Sequence, residues 1–135
     1  MQPEWIFYDG SCGFCHRWIR LVLAIDKKGE AFRFAPRTGE TFSATIPAAI
    51  RESLPPSIVV LATDGIVLTR SAAVLYILRR LGGAWRYLAL AGSVVPSSLR
   101  DLLYGIVARV RHRIFRAPEA LCPVVAPELM KRFAP

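Results

Sequence analysis

Two cysteines lie three positions apart near the start of the chain, in the segment Asp9-Gly10-Ser11-Cys12-Gly13-Phe14-Cys15. A short apolar run at 5–8 precedes them and a helical pattern at 12–25 follows, so the motif joins a strand to a helix. At a helix start, unpaired backbone N–H groups and the positive end of the helix dipole stabilise a thiolate. The spacing therefore predicts disulfide exchange. Cys12 is the expected nucleophile, and Cys15, one turn later on the same face, resolves the mixed disulfide.

Three neighbouring residues are expected to support the two thiols. Gly13 allows the backbone to turn tightly beside them, and Phe14 offers an apolar contact that could meet a substrate. Asp9 has two interpretations, either a cap on the turn or helix start, or a proton acceptor for Cys15. Because a nearby anion opposes thiolate formation at Cys12, the capping interpretation is favoured.

The rest of the pattern predicts alternating strands and helices. Strands are predicted at 4–8, 31–35, 57–62 and 66–68, and helices at 12–25, 47–54 and 72–81. Ser71 is the expected N-cap of the third helix, which ends at Gly82-Gly83. Helical connections predict that the first three strands are parallel neighbours, and Thr63-Asp64-Gly65 predicts a hairpin. The order β-α-β-α-β-β-α is typical of a thioredoxin-like α/β sandwich, and this inference does not depend on the cysteines.

A helical extension is predicted after this core. Residues 1–83 form the predicted thioredoxin-like core, and residues 84–135 form an extension packed on the same domain. One or two helical turns are expected at 85–91, a long helix at 96–115 and a short helix at 127–133. With 135 residues, the chain can bury the core of one ordinary domain.

Pro55 and Pro56 lie directly before the third predicted strand. Thioredoxin-like proteins commonly place a cis-proline there, facing the Cys-x-x-Cys, and Pro56 is the candidate. Its backbone could then pair with a substrate in β fashion. A trans-proline at a strand entry is the alternative, and the sequence does not decide between the two.

Two other kinds of site fit the same cysteines. His16 after Cys15 completes the Cys-x-x-Cys-His pattern of c-type haem attachment, but neither an export signal nor a clear distal ligand accompanies it. Cys12, Cys15, Cys122 and either His16 or His112 have the ligand types of a zinc site, although the second half lacks a paired spacing. Cys122 alone is typical of a buried small apolar residue, or of a third thiol if the tail folds over the site. We therefore expect no metal and no bound cofactor.

The chain is strongly basic, with a net charge of +8, and 53% of its residues are apolar. Much of the charge lies at 109–116, where a solvated basic helix face is the plain interpretation. Nucleic-acid binding is disfavoured because no known motif accompanies the charge. Contact with an anionic membrane through Ile106, Val107, Ile114 and Phe115 stays open. Neither a signal peptide nor a disulfide framework is evident, so we expect a cytoplasmic protein.

Motifs along nearly the whole chain resemble the DCC family of predicted thiol-disulfide oxidoreductases. Asp9, Cys12 and Cys15 match the family's Asp-x-x-Cys-x-x-Cys motif. Further matches are Asp64-Gly65, Ser71-x-Ala73, Leu81-Gly82-Gly83-x-Trp85, Pro96-x-x-Leu99-Arg100-Asp101-x-x-Tyr104, Ala108-Arg109, Cys122, Pro127 and Arg132-Phe133. The resemblance implies a thioredoxin-like fold and an oxidoreductase activity, but no defined substrate.

The chain departs from the family pattern at two places. Arg37-Thr38 stands where a Leu-Gln pair is expected, and Pro56 stands where an acidic residue is common. A cation at Arg37 would favour a thiolate or an anionic partner.

The sequence thus predicts a thiol-disulfide oxidoreductase that acts on a protein or small-molecule thiol or disulfide. An external thiol reductant would supply its electrons. The alternative is a binding module that keeps the fold, docks on a membrane or a partner, and does not use its cysteines in catalysis.

Overall fold

A computed structural model describes residues 4–8, 13–55, 57–114 and 131–134, with side chains described for all of these except 13–16 and 111–114. The strands are β1 (Glu4–Tyr8), β2 (Phe32–Pro36), β3 (Val59–Leu61) and β4 (Val67–Thr69). The helices are α1 (Gly13–Ile25), α2 (Glu40–Thr45), α3 (Ala48–Ser53), α4 (Arg70–Leu81), α5 (Gly83–Val94) and α6 (Ser97–Ile114).

The four strands form one mixed sheet in the order β2-β1-β3-β4. β1 pairs in parallel with β2, with Tyr8 opposite Pro36. β3 runs antiparallel to both of its neighbours, so that Val59 lies opposite Phe7 on one side and Thr69 on the other. The predicted hairpin is confirmed, whereas the prediction that the first three strands are all parallel is wrong for β3.

The connection between β2 and β3 explains this reversal. Pro47 separates two six-residue helices, α2 and α3, each only about 9 Å long, and Ile46 before it is extended. Instead of crossing the sheet as one long helix, the chain therefore returns to the edge that it left. The sequence did not predict α2, because Phe42 is its one buried residue and no apolar period marks the segment.

Both faces of the sheet are covered. Strand alternation sends Ile6 and Tyr8 to one face and Phe7 to the other. The larger cluster joins the sheet to α1 and α4, and contains Ile6, Tyr8, Ile19, Val22, Leu23, Phe32, Phe34, Ile58, Val60, Ala73 and Ile77. The smaller cluster on the second face contains Phe7, Ala35, Phe42, Ile46 and Val59. The core thus packs α1, whose first turn contains Cys15, against the sheet.

Ser71 does not cap α4, contrary to the prediction. The helix begins at Arg70 after the N-cap residue Thr69, whose side chain makes no cap hydrogen bond. The Ser71 hydroxyl instead donates to Asp101 Oδ1 on α6, at 2.5 Å. The hydroxyl that was predicted to cap the helix therefore forms its hydrogen bond with a residue of another helix. Gly82, at φ +71°, ends α4 as predicted.

The segment after α4 is more helical than the sequence indicates. α5 covers twelve residues where one or two turns were expected, and α6 lies close to its predicted bounds. Gly92 inside α5 suggests a break, but it allows close contact with α4, since a Cβ there would lie 2.7 Å from Leu75 Cδ2. α5 and α6 both contact α4, and α6 also contacts α1.

The last described residues attach to the edge strand β2. Phe133 forms a parallel bridge with Phe34, whose N–H donates to Arg132 O and whose carbonyl accepts from the Ala134 N–H, both at 2.9 Å. The rings of Phe133 and Phe34 stack with centroids 5.2 Å apart. A turn and a bridge therefore occupy residues 131–133, where the sequence predicted the end of a helix, while 127–130 lie outside the described residues.

Arg132 secures this attachment from the side of α1. Its Nη2 lies 2.6 Å from Asp26 Oδ2, just beyond the end of α1, and also donates to Phe32 O at 3.0 Å. Burial lowers the pKa of Arg132, and the charge of Asp26 opposes that shift. A buried, paired guanidinium therefore joins α1, β2 and the end of the chain.

Candidate active site

Four chain segments meet at one edge of the sheet. Tyr8 lies opposite Pro36 and Phe7 opposite Val59, so the ends of β1 and β2 and the start of β3 share this edge. The end of β4 joins them, because Thr69 also lies opposite Val59. The register therefore brings together the last residues of β1, β2 and β4 and the first residue of β3.

Helix α1 follows β1 in the chain. Its first residue is Gly13, so Cys12 directly precedes the helix and Cys15 belongs to its first turn. Cys12 itself lies outside the described residues, and only the backbone of Cys15 is described. Because the first N–H groups of a helix lack carbonyl partners, this backbone arrangement is one that stabilises a thiolate.

Arg37 braces the segment that precedes β3. Its backbone N–H donates to Tyr8 O at 2.9 Å. Its guanidinium Nη1 donates to both Pro55 O and Ser57 O, each at 2.8 Å. Through its backbone N–H and its side chain, this one residue therefore ties the end of β1 to the two carbonyls that flank residue 56.

Ser57 and Arg70 make a second connection at the same place. Ser57 is 4% exposed, and its hydroxyl accepts from the Arg70 N–H at 3.3 Å and donates to Ile58 O at 3.1 Å. Arg70 has φ +52°, a left-handed conformation that costs a non-glycine residue about 1 kcal/mol. Tyr104 Oη of α6 accepts from the Ile58 N–H at 3.3 Å. The entry to β3 is thus held from α6 as well as from β2.

A cavity of about 410 Å³ lies beside this segment. Trp18 of α1, three residues after Cys15, lines it together with Ile58, Tyr104 and aliphatic side chains of α4 and α6. A groove of about 290 Å³ shares Tyr104 with the cavity and also contains Ser57. The site therefore offers an apolar space within one helical turn of the cysteine motif.

Two buried donors in the lining residues of this cavity lack partners. Among the described residues, neither Trp18 Nε1 nor Arg100 Nε has a hydrogen-bond acceptor, although both atoms are buried. An unpaired buried N–H is costly, so a bound group that carries an acceptor would stabilise this region.

The other predicted site residues lie largely outside the described part of the chain. Asp9, Pro56 and Cys122 are among them, so the cis-proline and the third thiol stay predictions. Phe14 belongs to α1, but its side chain is not described.

The zinc alternative stays equally open. The described side chains form no group of three or more His, Cys, Asp or Glu that could hold a metal ion. The cysteines and histidines proposed as zinc ligands are not among those side chains.

Sequence reasoning missed most of the residues that shape this edge. It treated Arg37 only as a charge and assigned no role to Ser57. The available signal was the Arg100-Asp101-x-x-Tyr104 pattern, in which two residues three apart lie on one face of α6. Asp101 holds α4 and Tyr104 holds the entry to β3, so the pattern marks contacts between α6 and the site.

A separate property concerns membranes. Within the described ranges, no helix combines the length and the apolar character needed to cross a bilayer.

The sheet order, the mixed strand directions and the helix that follows β1 define a thioredoxin-like α/β fold. The sequence model of the DCC1-like thiol-disulfide oxidoreductases matches residues 6–117, and the chain belongs to this family. The match includes both cysteines of the motif, and the resemblance inferred from sequence is confirmed. A relative named "Uncharacterized protein YuxK", from Bacillus subtilis (strain 168), is 29% identical over 133 residues, which cover 96% of this chain and 93% of the relative. No solved structure matches the chain.

Proposed function

We propose that Cys12 and Cys15 form the dithiol through which this protein exchanges disulfides. The observation that carries the proposal is the position of the motif. α1 begins at Gly13, directly after Cys12 in the sequence, and four residues separate it from the end of β1 at Tyr8, where β2 and β4 also end and β3 begins. The family's description as thiol-disulfide oxidoreductases supports the general chemistry. A helix start supplies the unpaired N–H groups that favour a thiolate at the first cysteine.

In the reducing direction, the Cys12 thiolate attacks one sulfur of a substrate disulfide. A mixed disulfide forms, and the first substrate thiolate leaves and takes a proton from solvent. The Cys15 thiolate then attacks the Cys12 sulfur, which closes the Cys12–Cys15 disulfide and releases the second substrate thiolate. Two electrons have then passed to the substrate, and an external thiol reductant returns them by the reverse exchange.

The substrate would lie between the start of α1 and the braced segment before β3. Hydrogen bonds from Arg37 and to Tyr104 support a rigid segment there. The cavity beside Trp18 would accept an apolar group of the substrate. We place the reaction in the cytoplasm, where thiol reductants are abundant and three cysteines are expected to serve chemistry rather than a disulfide framework.

Thiol trapping in glutathione redox buffers, read by mass spectrometry, tests the assignment. A reversible Cys12–Cys15 disulfide is expected. Cys12→Ser should abolish turnover of a peptide disulfide, and Cys15→Ser should accumulate a mixed disulfide at Cys12. Cys122→Ser is the matched control and should retain turnover. Full turnover in Cys12→Ser would contradict the proposal, and thiols that react only after a chelator is added would favour the metal alternative.

A further inference from the structure

Helices α5 and α6 expose many large apolar side chains. Of the thirteen exposed large apolar residues in the described chain, ten lie in these two helices, and the other three are scattered. We call these ten the α5–α6 face: Tyr87, Leu88, Leu90, Val94, Leu99, Leu102, Leu103, Ile106, Val107 and Val110. Val94 is 84% exposed and Leu102 is 60% exposed. Such a concentration of exposed apolar side chains marks an interaction surface.

The spacing within α6 shows that its exposed apolar residues lie on one side of the helix. Its six residues of the face follow the i, i+3, i+4, i+7, i+8, i+11 pattern of an amphipathic helix, beginning at Leu99. In an ordinary globular domain such a stripe faces the core. Here the inward positions of α6 are Asp101, Tyr104, Gly105 and Ala108, which are half-buried against the rest of the protein. Most of the apolar stripe of α6 is therefore turned outward, while Leu103 and Val107 also line the cavity beside Trp18.

Positive charge accompanies this apolar surface. Residues 83–114 contain five arginines and one aspartate, a net charge of +4 with histidine neutral. Arg86 and Arg109 are exposed, and Asp101 accepts a hydrogen bond from Ser71. The partner of this surface must therefore bury aliphatic side chains and also supply negative charge.

Two kinds of partner meet those requirements poorly. A second copy of the chain would bring an equally basic surface, and like charges across an interface oppose association. A nucleic acid would satisfy the arginines, but it would leave the aliphatic stripe of α6 without apolar contacts. An anionic bilayer surface offers both an acyl boundary and negative headgroups.

We propose that the α5–α6 face docks this protein on an anionic lipid bilayer. The aliphatic side chains of α6 enter the boundary between headgroups and acyl chains, while Arg86 and Arg109 contact the headgroups. The proposal is independent of thiol exchange, because it uses neither cysteine of the motif.

Co-sedimentation of the purified full chain with vesicles tests the docking. The vesicles contain phosphatidylcholine alone or phosphatidylcholine with one third phosphatidylglycerol, at low and at high NaCl. Binding is expected only to the anionic vesicles, and it should weaken as salt screens the headgroups.

Two variants test the apolar contribution. Ile106→Glu, on the face, should weaken binding about tenfold or more, because a charge replaces an inserted side chain. Ile66→Glu is the matched control, since Ile66 is 54% exposed in the β3–β4 hairpin and Ile106 is 50% exposed. It should leave binding nearly unchanged, as the charge it adds lies off the face and is screened by salt. Val94→Glu gives a second test at the most exposed position of the face.

Two further variants test the charge contribution. Arg109→Gln should weaken binding about fivefold. The control Arg33→Gln removes an exposed arginine of β2 and should leave binding unchanged. Circular dichroism confirms that each variant is folded.

Three results would overturn the proposal. The first is a folded protein that binds neither kind of vesicle. The second is an equal loss of binding in the Ile66 and Ile106 variants. The third is a salt-insensitive dimer, seen by sedimentation velocity and dissociated by Ile106→Glu, since the face would then be an interface between copies.

Discussion

Replacing Arg37 with methionine should weaken both folding and turnover. The variant loses the two bonds from Nη1 to Pro55 O and Ser57 O and keeps the backbone bond to Tyr8. A hydrogen bond from a charged donor contributes about 1.5–3 kcal/mol when buried, and Arg37 is half-buried, so the loss should be about 2–3 kcal/mol of folding stability. Because the lost bonds hold the entry to β3, kcat/KM for a peptide disulfide should fall about tenfold, equivalent to roughly 1.4 kcal/mol.

Arg37 could act through its hydrogen bonds or through its charge. The pKa of the Cys12 thiol distinguishes these two roles. If Arg37 acts through its hydrogen bonds, the pH dependence of Cys12 alkylation is the same in Arg37→Met and in the parent protein. The fall in kcat/KM is then equal at every pH. Arg37→Lys keeps the charge on a shorter side chain and should restore little of the turnover. Arg33→Gln, which removes an exposed arginine four positions earlier, should change neither quantity.

Two outcomes would refute the bracing role. A raised Cys12 thiol pKa in Arg37→Met, with full rescue by Arg37→Lys, would show that charge alone accounts for the effect. Unchanged stability in urea unfolding of Arg37→Met would show that the two carbonyls do not depend on this side chain.

Other predictions concern the buried Arg132–Asp26 pair and the buried Glu4 carboxylate, which accepts a hydrogen bond from Tyr76 at 2.6 Å. Arg132→Ala should cost about 3–4 kcal/mol in urea unfolding, because it leaves the Asp26 carboxylate buried without its cation, and the exposed neighbour Lys131→Ala should cost almost nothing. Equal losses in the two variants would contradict the attachment. Burial and the hydrogen bond to Glu4 raise the pKa of Tyr76 from 10.0 to about 12, so one tyrosine should ionise late in an ultraviolet titration and Tyr76→Phe should remove that step. Since the unfolded chain ionises first, stability should fall between pH 10 and 12 in the parent and fall less in Tyr76→Phe.

The docking face and the substrate cavity lie next to each other, because Leu103 and Val107 of the α5–α6 face also line the cavity beside Trp18. α6 contributes Tyr104 to the entry of β3 through its inward side and Ile106 to the α5–α6 face through its outward side. A protein held on a bilayer by that face would therefore keep a fixed distance and orientation between the membrane and the edge of the sheet where β1 ends and β3 begins. Assays with and without anionic vesicles would show whether docking changes turnover.

Local sequence was sufficient for most elements of the core. Alternation and apolar runs predicted β1, and the apolar period predicted α1, since both patterns arise within a few residues of chain. The junction of strand, Cys-x-x-Cys and helix was therefore predictable, as was the family. The same patterns missed α2, where a single buried phenylalanine leaves no period to detect.

Contacts between distant segments decided the rest. The direction of β3 depends on where the chain comes back to the sheet after the two short helices α2 and α3. The guanidinium of Arg37 donates to carbonyls about twenty positions away in the sequence. Ser71 lies at a sequence position typical of a helix N-cap, but Asp101 is close enough to accept a hydrogen bond from its hydroxyl. The stripe that begins at Leu99 shows that α6 is amphipathic. The spacing of its apolar residues does not reveal which part of the protein, if any, packs against the stripe. Only the tertiary structure shows that the stripe is exposed within the described part of the chain, because burial depends on how the elements pack together.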